Sequence, residues 1–168
     1  MKKISHKEAE ALLQQGYRYA YSLVLQSSSA EDLLQSAWLS ILKHQHKTRQ
    51  YKLSKAYFFT TIRNQYINQY RREQLVPMVP IEEQHVLEEE QTWSDIEVTA
   101  LQIDLEKALS NLRTVEREII FLVYFEGYSA TEVAKHMNAN RNTILSLMHR
   151  SKQKLKKFLR GDLAEVKS

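Results

Sequence analysis

Asn142, Ser146, His149, Arg150 and Gln153 recur at a spacing that gathers them on one side of a helix. Amide, hydroxyl, imidazole and guanidinium groups hydrogen-bond to base edges and phosphates, and arginine is the strongest reader of guanine. Lys152, Lys154, Lys156, Lys157 and Arg160 are suited to phosphate contacts. Ile144, Leu147, Met148, Ser151, Leu155, Phe158 and Leu159 make an inward stripe on the other side. A basic helix end can do no more than complement the helix dipole, but what precedes this one argues for more. Ser129-x-x-Glu132 is a capping box, opening a short helix with Val133, Ala134 and Met137 apolar. Asn138-Ala139-Asn140 then supplies a turn, since asparagine tolerates left-handed backbone. A short helix, a tight turn and a longer basic helix are the layout of a helix-turn-helix that sets its second helix in a DNA major groove.

Two further constellations lie in the first half. Tyr57 to Arg72 interleaves aromatics with amides and arginines, a mixture that can stack on unpaired bases and hold a phosphate backbone. Phe58, Ile62 and Tyr66 fall at helical spacing and are expected to be partly or wholly core, whereas Asn64, Asn68, Arg71 and Arg72 do not suit a core. Glu31, Asp32 and Gln35 open a helix that also carries Trp38. They can serve the helix dipole or form a docking patch for a basic partner, and the residues alone favour neither. Catalysis finds no support: there is no glycine-rich phosphate loop or nucleophile motif, and Glu88, Glu89 and Glu90 are sequential rather than convergent. Cysteine is absent, and His44 and His46, two apart, would point to different sides of a helix, so neither a metal nor a cofactor is expected.

The elements that must position these groups are helices. In 168 residues there are only Gly 3 and Pro 2, too few for the turns of a β-rich fold. Ser5-x-x-Glu8 is a capping box before Leu12, Leu13, Tyr17, Ala20, Tyr21 and Val24. Ser29 is the expected cap of a second helix with Leu34, Ala37, Trp38, Ile41 and Leu42 on its apolar face, and the polar Lys43 to Gln50 is expected to be a loop. Ser54 caps a third helix ending near Arg72. Pro77 and Pro80 close this region. Helices resume near Leu101, with Leu105, Ala108, Leu109 and Leu112 in register; Thr114 is the expected cap of the next, Gly127 its stop, and Gly161 the final C-cap.

The net charge of +4 conceals a pattern. Residues 1–72 hold 12 Lys/Arg against 4 Asp/Glu, residues 73–100 hold 8 Asp/Glu and no Lys or Arg, and residues 101–168 hold 12 Lys/Arg against 8 Asp/Glu. Two basic blocks suit a polyanion, while the acidic block between them reads as a linker that cannot itself face nucleic acid. MKKISHKEAE lacks the apolar core of a signal peptide, and no apolar run reaches the roughly 18 residues of a membrane span, so a cytoplasmic protein is expected.

Taken in order, these motifs resemble a bacterial RNA polymerase sigma factor of the sigma-70 family, extracytoplasmic-function (ECF) group. Ala30-Glu31-Asp32-Leu33-Leu34-Gln35 with Trp38 resembles the family's A-E-D-L-x-Q and aromatic. Tyr57 to Asn64 resembles W-L-F-x-I-A-x-N, with the arginine pair at Arg71-Arg72. Ala108-Leu109-x-x-Leu112 with Arg117-Glu118, Glu126-Gly127-x-Ser129 with Glu132-Val133-Ala134, and Thr143-Ile144-x-Ser146-x-x-x-Arg150 resemble the motifs of the second domain. The chain departs at Tyr57, Thr61, Ile62, Asn68 and Asn142, and Leu145 and Leu147 stand where basic residues are frequent.

The resemblance implies an all-α fold of two small helical domains joined by an extended acidic linker. Residues 1–75 would be sigma domain 2, 76–100 the linker, 101–162 sigma domain 4 with the helix-turn-helix, and 163–168 a tail. It implies that Glu31, Asp32, Gln35 and Trp38 bind core polymerase at the β′ clamp helices, with the β flap a further contact. Arg63, Asn64, Asn68, Arg71 and Arg72 would engage the minus-ten element. Arg141, Asn142, Thr143, Leu145, Ser146, His149 and Arg150 would engage the minus-thirty-five element, Leu145 lying near the DNA-facing side. The partners implied are core polymerase and promoter DNA, with an anti-sigma factor as an antagonist, and the protein would not itself be an enzyme. The alternatives are a helix-turn-helix regulator that never joins polymerase, or a sigma-like decoy that occupies polymerase without initiating.

Overall fold

The computed structural model describes residues 6–48, 53–75 and 106–160, and every element among them is a helix. They gather into two compact units. The first carries most of α1 (His6–Val24) with α2 (Ser27–Thr48) and α3 (Lys55–Leu75). The second carries α4 (residues 106–110), α5 (Thr114–Ile120), α6 (Ala130–Met137) and α7 (Arg141–Leu159). The Ser5 cap, the acidic stretch after Leu75, Leu101, Leu105 and Gly161 lie outside the described residues.

Helix boundaries follow local hydrogen bonds, and some differ from expectation. Leu25 adopts a left-handed φ of 54°, and only Leu25 and Gln26 lie between α1 and α2. Ala30 N–H donates to the Gln26 carbonyl at 2.9 Å, so α2 opens at Ser27 and Ser29 is not its cap. Ser29 sits in the first turn instead and donates its hydroxyl to Gln26 Oε1 at 2.7 Å. Residues Lys43 to Thr48 are helix rather than loop. Polarity does not break a helix; this stretch has no glycine or proline, and lysine and glutamine are good helix formers. Ser54 caps α3 as expected, its Oγ accepting from Tyr57 N–H at 3.2 Å.

The core of the first unit takes Tyr19 and Ala20 from α1, Ala30, Leu33, Ala37 and Ile41 from α2, and Phe58, Phe59 and Ile62 from α3, all buried. Tyr19 stacks on Phe59 with centroids 4.5 Å apart, and Trp38 meets Phe58 edge-on at 5.7 Å. Leu42, expected on the apolar face of α2, is 39% exposed. The inward stripe of α3 outruns the bundle: Phe58 and Ile62 are buried, Tyr66 is half-buried, and Tyr70 is 52% exposed, its ring 6.4 Å from that of Tyr66.

Gly16 permits the close approach of α1. A Cβ there would lie 2.4 Å from Phe58 Cε1 and 3.0 Å from Leu34 Cδ1. Alanine would contribute about 1 kcal/mol of helix propensity, but overpacking a close-packed core costs roughly 1–3 kcal/mol. Phe58 is fully buried against Trp38, so the clash should win. Gly16→Ala is therefore expected to lower the stability of the protein by about 1 kcal/mol in urea denaturation; a net gain would mean that the Phe58 ring can slide.

Candidate nucleic-acid interface

In the second unit, a string of local constraints aims α7. Arg113, not Thr114, is the cap of α5, because Glu116 reaches back to accept from Arg113 N–H at 2.9 Å. Past Ile120 the chain takes a wider π-helical turn, Phe121–Phe125, and ends where Gly127 turns at φ +71°. Tyr128 N–H closes the end onto the Leu122 carbonyl at 2.8 Å. Ser129 caps α6 reciprocally: its Oγ accepts from Glu132 N–H, while the Glu132 carboxylate accepts from Ser129 N–H at 2.8 Å and from its hydroxyl at 2.7 Å. Those bonds hold the Glu132 carboxyl below its ordinary pKa, the backbone N–H contributing most. Asn138 closes α6 in left-handed geometry, φ 51°, and Asn140 Oδ1 caps α7 by accepting from Asn142 N–H at 2.8 Å.

Side chains then fasten α7 and α6 to α5. Val133, Ala134, Met137 and Ile144 join Ala108, Leu112, Ile119, Ile120 and Leu122 in the core. Ser151, fully buried, donates to the Leu147 carbonyl at 2.7 Å, which satisfies its hydroxyl within α7. His136 Nε2 lies 3.7 Å from Glu118 Oε1, both side chains nearly out of water. Arg117 is held within its own region by Leu112 O and Thr114 Oγ1 at 2.6 and 3.2 Å. Glu116, 1% exposed, accepts from Lys154 Nζ at 2.8 Å and from the Arg113 guanidinium at 3.3 Å. Burial alone would raise the Glu116 carboxyl. The hydrogen bonds from Lys154 and Arg113 outweigh that and hold it below its usual range. Lys154, read from sequence as a phosphate contact, is thus also a fastening of α7.

What this scaffold leaves outward is polar. Arg141, Asn142, Thr143, Ser146, His149 and Arg150 are all exposed on α7, and Leu145 is half-exposed among them. The inward stripe is anchored at Ile144 and Ser151, flanked by half-buried Leu147, Met148, Leu155 and Phe158; Leu159, expected inward, is 46% exposed.

The first unit presents two further groups. On α3, Asn64, Asn68, Arg71 and Arg72 are exposed at the spacing i, i+4, i+7, i+8 and share a face. Arg63 stands roughly 100° around the helix from Asn64 and is half-buried, so it does not join them. On α2, Glu31, Asp32 and Gln35 are exposed, whereas Trp38 is half-buried against Phe58. The same surface continues into Leu39, 54% exposed, which the sequence reading missed. Its signal was the register, four residues after Gln35 and off the Leu33–Ala37–Ile41 stripe. Tyr124 and Phe125, exposed at the π-helical turn, were missed too. Among the described residues no cluster of His, Asp or Glu suits a metal ion, and no helix is long and apolar enough to cross a membrane.

Comparison with known proteins decides the family. Residues 9–76 match the sigma-70 region 2 family, and residues 102–155 match the sigma-70, region 4 family. The chain belongs to the sigma-70 family. It is similar to the ECF RNA polymerase sigma factor SigL of Mycobacterium tuberculosis, 25% identical over 134 residues that cover 79% of this chain and 76% of the relative. It is also similar to the ECF RNA polymerase sigma factor SigX of Bacillus subtilis, 22% identical over 149 residues, 85% and 77% of the two chains. Among solved structures, the sigma factor RpoE of Bartonella quintana, crystallised with the anti-sigma factor NepR, matches 93% of this chain and 96% of its own, with a TM-score of 0.69 and 27% identity. The protein is thus an ECF sigma factor, which binds core RNA polymerase and directs promoter recognition and the initiation of transcription.

Glu116 fastens the region 4 helix through charge, so its effect depends on pH. A lowered folded pKa means that its stabilisation is present above the ordinary carboxylate value of about 4.3 and is lost as pH falls through the folded value. Glu116→Gln should cost about 1–3 kcal/mol at pH 7, and the gap to the wild type should close on acidification. Thermal denaturation of both proteins at neutral and acidic pH checks this.

Proposed function

We propose a division of labour along the chain, with residues 1–75 docking core polymerase and opening the minus-ten element, 76–100 linking, and 101–162 reading the minus-thirty-five duplex. The observation that carries it is the placement of α7. Its N-terminal turns are fixed by capping bonds at both sides of the turn, and they turn six polar side chains, Arg141, Asn142, Thr143, Ser146, His149 and Arg150, to solvent. Helix N-terminal turns of this kind enter a major groove, where such groups meet base edges.

On α3, the exposed Asn64–Asn68–Arg71–Arg72 face pairs amides that read unstacked bases with guanidinium groups that hold phosphates. On α2, Glu31, Asp32 and Gln35 beside the exposed Leu39 offer an acidic and amide-bearing surface with an apolar centre, suited to the β′ clamp helices. Tyr124 and Phe125 are the matching apolar feature of region 4, suited to the β flap. The crystallised complex of RpoE with NepR supports an anti-sigma factor as a further partner. The site of action is the cytoplasm, and the chemistry of RNA synthesis is the polymerase's own.

The test is in vitro transcription with bacterial core polymerase on upstream fragments of the source genome. Protein-dependent run-off products are expected, and their absence would overturn the proposal. Asp32→Arg is expected to abolish co-elution with core polymerase while leaving the helical circular dichroism unchanged. Arg150→Ala is expected to cost about 1–3 kcal/mol in binding to promoters with the upstream element, measured by titration of the holoenzyme.

A further inference from the structure

Leu145 does not fit either role that α7 otherwise divides between its sides. It is neither in the core, as Ile144 and Ser151 are, nor polar, as its exposed neighbours are. It stands three residues after Asn142 and four before His149, both exposed, so one helical stripe runs Asn142–Leu145–His149 with an apolar group at its centre. The stripe starts from a fixed point, because Asn140 Oδ1 holds Asn142 N–H at 2.8 Å. A half-exposed leucine in that position will be pressed against whatever duplex the helix enters.

The major groove offers one apolar feature, the C5 methyl of thymine; every other edge presents a donor or an acceptor. Against a thymine, Leu145 gains apolar burial. Against any other base it covers a polar atom that it cannot satisfy, which is costly. Both effects favour the same base, one by attraction and the other by exclusion. We infer that Leu145 is a specificity-determining residue that selects a thymine in the duplex read by α7. The inference rests on the proposed reading of that helix as the minus-thirty-five reader.

The test uses the full-length protein assembled with bacterial core polymerase. Randomised promoter duplexes retained by this holoenzyme define its upstream element. Each thymine of the element, on either strand, is then replaced by deoxyuridine, which removes only the methyl. One replacement is expected to weaken holoenzyme binding about four-fold, the worth of one buried methyl. Holoenzyme carrying Leu145→Ala is expected to bind the thymine and deoxyuridine duplexes alike. An upstream element without thymine, equal wild-type binding to every deoxyuridine duplex, or discrimination that survives Leu145→Ala would each overturn the inference while leaving the reading of α7 intact. A selection that yields no upstream element at all would remove that reading and this inference with it.

Discussion

Glu116 is a carboxylate almost out of water, and three donors meet it: the backbone N–H and guanidinium of Arg113, which open α5, and the ammonium of Lys154 from far along α7. An isolated buried charge would be strongly unfavourable, so the group is tolerable only while those donors stay in place. That requirement ties the start of one helix to the register of another. A rotation of α7 would pull on the Lys154 contact, so a contact on its flank, away from the bases they would meet, helps to set which side chains it turns to solvent. The apolar contacts of Ile144 hold α7 close, and the hydrogen bond at 2.8 Å adds a directional contact to them.

The first unit is organised differently. It holds together by shape, with two aromatic pairs and a glycine where α1 must come close. Among the described residues no charged side chain is buried at its centre. The polar groups exposed on α2 and α3 stand outside that apolar frame.

Much of this was legible in the sequence where local chemistry decides structure. Ser129 and Glu132 announce α6, Asn138 its left-handed end, Ser54 the start of α3, and the outward residues of α7 follow from its period. Errors arose where a non-local or rarer local choice prevailed. Ser29 looked like a cap, but a left-handed Leu25 moved the boundary back, and a leucine in that conformation is not anticipated from propensity. Thr114 lost its place to the reach of Glu116, whose burial depends on Lys154, 38 residues away. Leu39, Tyr124 and Phe125 were invisible as surface groups because hydropathy alone reports them as core; only the register, and for the last two the π-helical turn, shows them outside.

The overrun of α3 has a mechanical meaning. Its stripe goes from fully buried Phe58 and Ile62 to an exposed Tyr70 within three turns, while the helix continues to Leu75. The last turns resemble a cantilever, rooted in the bundle at Ile62; among the described residues beyond it, half-buried Tyr66 pairs its ring with that of Tyr70. Asn68, Arg71 and Arg72 lie exposed on these turns. Turns that leave the core open more readily than those rooted in it, so on the proposed reading of α3 a DNA strand bound there would also stiffen them. Part of the binding free energy would then go into ordering those turns, and the root of α3 would set how much.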